Sequence, residues 1–413
     1  MAHRKLIGPF AQLLTMDNLP LRGPLADAGL EIIRNAGIVT EGENIVETGD
    51  FESLTQTSSK GNYEVERMPE NLVALPGFID AHTHICWAGS RAEDYSKRLQ
   101  GKTYSEIAAS GGGIWDTVIK TRKASLEELT DQLVTRAARH LSDGVTTIEV
   151  KSGYGLTVKD EIKMLRAIKR VNQHAVADLI PTCLAAHIRP KDYSGTNSEY
   201  LKMIRDELLP RVAEENLSRR VDIYTDEHAF SIKESEGYLN EAKSMGFDIT
   251  VHADQFTGGG TRMAVRVGAV SADHLEVSGE KDIKTLAGSN VIPVTLPGSS
   301  LGLGAPFAPA RKLLDGGCSL VIASDWNPGS APMGDLLIQA CILGMYEKLT
   351  LAETLAALTF RAAAALNLKE WGIIKPGYKA DIIAFNLADY KEIIYNQGKV
   401  KPVKIWKNAS LTE

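Results

Sequence analysis

The chain has 413 residues, 44% of them hydrophobic and 24% charged, with a formal net charge of −6. That length suits a large barrel with an accessory module better than one small core. The acidic balance and scattered Lys/Arg argue against a nucleic-acid footprint, and no window approaches the ~20 apolar residues of a membrane span.

Residues Met1 to Gln12 are too polar for a signal peptide, so a cytoplasmic location is expected. Up to Val73 the chain reads as short strands and turns, with Leu30–Ile33 and Ala36–Val39 as separate strands. Ser53–Asn62 is polar and is expected to be an exposed loop. The four cysteines (Cys86, Cys183, Cys318, Cys341) are far apart and lack CxxC spacing, which predicts free buried thiols.

From Pro76 the pattern changes. An apolar run ends in Asp80-Ala81-His82-Thr83-His84, and further strand-like runs follow at Val145–Val150, Asp178–Leu184, Val221–Thr225, Asp248–His252, Ala269–Ala272, Val291–Thr295 and Leu320–Ala323. Amphipathic segments separate them, two opened by the capping boxes Ser125…Glu128 and Ser231…Glu234. About eight such units predict an α/β fold built on a (β/α)8 TIM-type barrel. A doubly wound sheet competes, but no GxGxxG follows the first strand. After the turn Pro376-Gly377, Ala380–Phe385 and Val403–Trp406 read as strands again. The expected organisation is a small β-sandwich made from 1–73 and 372–413 around a hydrolase barrel at 74–371.

Side chains at i and i+2 on an extended strand share a face, so His82 and His84 leave the first barrel strand together, as a shared metal requires. Active sites of such barrels lie at the C-terminal strand ends. His187, His228, His252 and His274 fall at or just past later ends, and Asp325 closes the last run. His3, His140 and His174 fall in a terminus or helices, where a solvated role is the default. His82, His84, His252 and Asp325 form the expected ligand set for one Zn²⁺ or Fe²⁺/Fe³⁺ ion. Such an ion lowers the pKa of its water toward ~7, which points to hydrolysis. Asp325 could instead be a plain helix N-cap.

The stretch Pro76–His84, the late Val-His252-Ala-Asp, His274, Ser324-Asp325 and the tail Gly372–Asp381 resemble the amidohydrolase superfamily. Within it, His84–Arg91, the Tyr104–Ile114 run with Gly111-Gly112-Gly113, Glu149–Gly155 and Ser324–Ser330 are most similar to the imidazolonepropionase family. The resemblance implies hydrolysis of 4-imidazolone-5-propanoate to N-formimidoyl-L-glutamate in histidine degradation, by a homodimer with a small-molecule substrate and no nucleic-acid or membrane partner. Carried over by position, Arg91, Tyr154, His187, Gln255, Asn327, Gly329 and Ser330 are substrate-binding; Asp325 and His274 are read as the catalytic pair.

The residue chemistry agrees at Arg91, whose planar fork suits a propanoate. Tyr154 lies between two glycines that could equally form only a tight turn, and the Gly111–Gly113 run could admit a ligand or be a mobile loop. Some members carry glutamate where this chain has Gln255. Glutamine cannot take a proton, so Gln255 is expected to orient the ring while Asp325 and His274 move protons. Lys151 ends the second strand and not the fourth, so it does not match the metal-bridging lysine of two-metal members, and His228 is expected to be a loop residue. Another cyclic-amide hydrolase or a heterocycle deaminase would share the metal motif without needing a cationic pocket.

Overall fold

The computed structural model describes residues 4–61, 63–69, 71–103, 106–107 and 110–412. Its first strands are β1 (Arg4–Leu14), β2 (Ile32–Glu41), β3 (Asn44–Asp50), β4 (Glu64–Arg67) and β5 (Leu72–Pro76). The barrel strands are β6 (Phe78–Asp80), β7 (Val145–Lys151), β8 (Asp178–Ala186), β9 (Arg220–Thr225), β10 (Asp248–Ala253), β11 (Ser271–His274), β12 (Ile292–Thr295) and β13 (Val321–Ile322). The chain ends in β14 (Ile382–Asn386), β15 (Lys404–Lys407) and β16 (Ser410–Leu411).

Strands β6 to β13 form one sheet in sequence order, every neighbouring pair parallel. Helices between them cover its outer face. Strands such as β7 and β9 are therefore buried along their whole length, as expected when both faces are covered. The first and last strands meet through Asp325 N donating to His82 O (3.0 Å) and His84 N donating to Trp326 O (3.0 Å). Asp80 Oδ1 accepts the Ser324 amide at 3.0 Å and tightens the same seam. The barrel is thus closed where the ligand candidates lie.

The second sheet runs β16-β15-β14-β5-β1-β2-β3, with β4 on β1, and joins both ends of the chain. Antiparallel pairing of β14 with β5 makes the join. Its apolar face packs Ile7, Phe10, Ile38, Ile382 and Trp406 into a separate small core. Both predicted capping boxes are present. The four cysteines are free and buried. No helix among the described residues is long and apolar enough to cross a membrane.

The structure corrects three expectations. Ile32–Ile33, the end of the first expected strand, and Ala36–Val39 belong to one strand, β2, because its pairing with β1 runs through the polar interval Arg34-Asn35, and Leu30 and Glu31 precede it. The segment expected to be a loop is a helix, Phe51–Gly61. Asp50 accepts the Ser53 amide at 2.9 Å at its start, and Phe51 and Leu54, one turn apart, pack on Leu6 and Val39. His140 is fully buried rather than solvated: its Nε2 lies 3.2 Å from Asp80 Oδ2, and its ring packs on Trp326. His3, Tyr104, Ser105, Ala108 and Ala109 lie outside the described residues.

Candidate active site

The described barrel histidines at strand ends converge, with one exception. His82 Nε2 lies 3.3 Å from His84 Nε2, and His252 Nε2 lies 3.4 Å from the same atom. Asp325 Oδ1 completes the cluster at 3.4 Å from His84 Nε2 and 3.6 Å from His82 Nε2. All four residues are buried. The exception is His228, which is exposed beside Glu227 and takes no part. Asp325 begins no helix; it sits at φ 51° on the turn after β13. His274 and Leu275, at φ 86° and 76°, share this unusual backbone, and such outliers concentrate at functional sites.

The donor set fits a metal ion. His82 Nδ1 is 2.6 Å from Asp273 Oδ2, and His252 Nδ1 is 2.9 Å from Asp222 Oδ2. Each carboxylate draws the ring proton to Nδ1 and turns the lone pair at Nε2 toward the cluster. Burial holds His82 well below its ordinary pKa, and burial also lowers His252 to about 4 although Asp222 opposes it. The Nε2 lone pairs of His82 and His252 thus face the cluster, where a cation would be held. The charge balance points the same way. Glu149 and Asp222 are buried against a single ammonium, Lys151, Asp273 lies 4.0 Å from it with burial pushing its carboxyl pKa up, and Asp325 is buried in the cluster itself, so a divalent ion would relieve the negative charge that remains. Burial opposes ionisation of Asp325, but its contact with His84 outweighs this and keeps it ionised.

A narrow cleft of about 70 Å³ lies above this cluster. Each expected substrate-binding residue lines it: Arg91, Tyr154, His187 and Gln255 from the early and middle loops, and Asn327, Gly329 and Ser330 from the loop after β13. Arg91 is not a surface arginine. It is 8% exposed, and its Nε donates to Asp94 Oδ2 at 2.7 Å, leaving the rest of the guanidinium for the cleft. A Cβ at Gly329 would lie 2.7 Å from Arg91 Nη1, so the glycine lets this loop pass close over the guanidinium as it stands. The Gly111–Gly113 run has a similar purpose. A Cβ on Gly112 would collide with Asp94 Oδ1, and the Gly113 amide donates to Asp94 Oδ2 at 2.9 Å.

Other contacts orient the remaining lining. Glu161 accepts the amides of Gly153 (3.0 Å), Gly155 (2.8 Å) and Leu156 (2.7 Å), which sets the loop carrying Tyr154. His187 Nδ1 donates to Gly153 O at 3.0 Å, and its ring stacks beside His84. Gln255 Nε2 donates to Ser299 Oγ at 3.1 Å. The Asn327 amide is engaged by its own loop: Oδ1 accepts from Gly329 and Ser330, and Nδ2 donates to Asp325 O. His274 Nδ1 lies 3.3 Å from Glu276 Oε1. Burial disfavours its charge, yet Glu276 outweighs that and raises its pKa.

Sequence reasoning missed Asp94, Glu161, Asp222, Asp273 and Glu276. Asp273 and Glu276 flank His274 and had at least that proximity as a signal. Asp222 sits in an apolar run, and Glu161 lies one turn into the helix Val158–Asn172, where acidic residues are ordinary.

The profile of the Amidohydrolase family matches residues 73–411. The imidazolonepropionase of Symbiobacterium thermophilum is 37% identical over 414 residues, covering 98% of this chain and 96% of that protein. The imidazolonepropionase of Alkaliphilus oremlandii is 39% identical over 393 residues, with coverage of 94% and 92%. Among solved structures, an adenosine deaminase from Xanthomonas campestris with bound zinc is similar at a TM-score of 0.69 and 16% identity, covering 98% of this chain and 92% of that one. That likeness speaks for the fold alone.

Proposed function

The chain belongs to the amidohydrolase family and, within it, to the imidazolonepropionases, and from this premise we propose that its cleft opens the ring of 4-imidazolone-5-propanoate to give N-formimidoyl-L-glutamate. The observation that carries this reading is the meeting of two features in one cavity: a buried His82–His84–His252–Asp325 cluster and the buried guanidinium of Arg91. The first is a hydrolytic centre, and the second suits the propanoate tail.

His82, His84, His252 and Asp325 would hold one ion, Zn²⁺ or Fe²⁺/Fe³⁺, since three imidazoles and a carboxylate accept both metals. When bound, the ion supplies Lewis acidity and makes hydroxide available near neutral pH. Arg91 anchors the carboxylate, and Tyr154 and His187 border the ring on the side of His84. Gln255, held by Ser299, directs its carboxamide at the ring's polar edge. Asp325 accepts the proton of the attacking water and returns it to the ring nitrogen as the C–N bond breaks, acting as base and then acid. His274, kept proton-rich by Glu276, stabilises the oxyanion that develops on the carbonyl oxygen. We assign the same family's soluble metabolic setting to the chain, with a cytoplasmic homodimer as the working form.

Freshly generated imidazolonepropanoate should lose its ultraviolet absorbance in the presence of the purified protein, and a strong chelator should stop this. Absence of turnover by metal-loaded protein would reject the substrate. Turnover insensitive to complete metal removal would reject the metal.

A further inference from the structure

Lys151 lies directly beneath the histidine cluster, fully buried at the end of β7. Its Nζ is 2.8 Å from Glu149 Oε1, 2.9 Å from Asp222 Oδ2 and 4.0 Å from Asp273 Oδ2. Each of these carboxylates holds a different part of the site above. Asp222 Oδ2 faces His252 Nδ1 at 2.9 Å, and Asp273 Oδ2 faces His82 Nδ1 at 2.6 Å. Glu149 Oε2 accepts the amide of Thr83, the residue between His82 and His84, at 3.1 Å. The Lys151 amide itself donates to Thr83 O at 3.0 Å.

We infer that Lys151 is the positioning residue of the metal site, one ammonium that ties the carboxylates of Glu149 on β7 and Asp222 on β9 and faces that of Asp273 on β11, so that His82, His84 and His252 present their Nε2 atoms to one point. An ammonium is suited to this place because its donors are directed apart and it has no acceptor, so it can reach Glu149 and Asp222 at once while its charge faces Asp273. A guanidinium is flat and larger, and a neutral side chain would leave Glu149 and Asp222 buried beside Asp273 without a counter-charge. The strand alternation that points Glu149 and Lys151 inward together places the lysine at the centre of the barrel mouth. Lys151 touches neither the cleft nor the cluster's Nε2 atoms, so its effect is transmitted through carboxylates that fix ring tautomer and orientation.

The inference rests on the proposed ligand set, and the test separates the two. Zn²⁺ affinity of metal-freed protein is measured by competition with a chromophoric chelator, and the Co²⁺-loaded protein is compared by its visible absorption bands. Wild-type protein is expected to bind one ion, and His252→Ala is expected to lose it; a wild type that binds none overturns the ligand set itself. With wild-type binding established, Lys151→Met is expected to weaken Zn²⁺ binding by roughly 10–100-fold and to alter the Co²⁺ bands. Unchanged affinity and bands overturn the role of Lys151 alone. If Lys151→Met does not fold, Lys151→Met/Asp273→Asn removes one stranded carboxylate and replaces it. That protein should bind Zn²⁺ more weakly than Asp273→Asn, because Asp222 and Glu149 still lose their tie. Equal affinity of the two, or failure of both lysine variants to fold, overturns positioning in favour of a purely structural lysine.

Discussion

Asp325 meets His82 at two points: its backbone amide donates to His82 O at 3.0 Å, and its Oδ1 lies 3.6 Å from His82 Nε2. The first contact closes the barrel between its last and first strands. The second brings a carboxylate from the end of the chain's barrel region to a histidine from its beginning. Closure of the fold and assembly of the site are therefore one event.

His252→Ala and Asp325→Ala should each lose the metal and nearly all turnover. Metal analysis of the purified variants beside a turnover assay checks this. Normal activity in either would remove that residue from the site.

Arg91→Met should raise KM for the anionic substrate by roughly 10–100-fold, the value of about 1.5–3 kcal/mol carried by a charge-assisted hydrogen bond. Asp94→Asn should shift KM in the same direction by less, because it loosens the guanidinium without removing it. Steady-state kinetics decide the point, and an unchanged KM in Arg91→Met would mean that another group anchors the carboxylate.

Glu161→Gln is nearly isosteric but replaces one acceptor oxygen by an NH₂ group facing backbone amides. A stability loss of about 1–3 kcal/mol is expected, together with a raised KM as the Tyr154 loop shifts. Denaturant unfolding and kinetics on the same preparation measure both; wild-type values for the pair would show that the loop holds itself.

Glu276→Gln should lower the pKa of His274, since Glu276 is what raises it against burial. The basic limb of the kcat–pH profile should then move to lower pH, with KM little changed. A profile superimposable on the wild type would exclude a protonated His274 from the chemistry.

Metal-free protein should lose stability as pH falls from about 6.5 toward 4. Burial holds His187 and His82 well below their ordinary value and His252 at about 4, whereas the unfolded chain protonates them near 6.5. Between those limits these three rings bind more protons in the unfolded state and so contribute stability that rises with pH, offset in part by Asp273, whose carboxyl pKa burial pushes up and which has the opposite sign. Thermal midpoints at a series of pH values, recorded in chelator, would reveal the slope, and a flat response would contradict it.

Much of the site was legible because its ligands are of rare type and sit at strand ends, where the alternation of apolar runs announces them. His82, His84, His252, His274 and Asp325 could each be placed that way. The buried supports could not. Asp222 and Asp273 look like interruptions of apolar strands, His140 like a surface residue of an amphipathic helix, and Phe51–Gly61 like a polar loop. Local pattern cannot report a partner that lies far along the chain.

The sequence by itself determined the barrel class, the ligand types and the arginine that suits an anionic substrate, since periodicity and residue chemistry are local properties. Only the tertiary structure decided that Lys151 lies under the site and that Asp222 and Asp273 orient particular imidazoles. Those pairings depend on strand order, register and closure, which bring residues 30 to 244 positions apart into contact, and no local property encodes which distant carboxylate will face which ring.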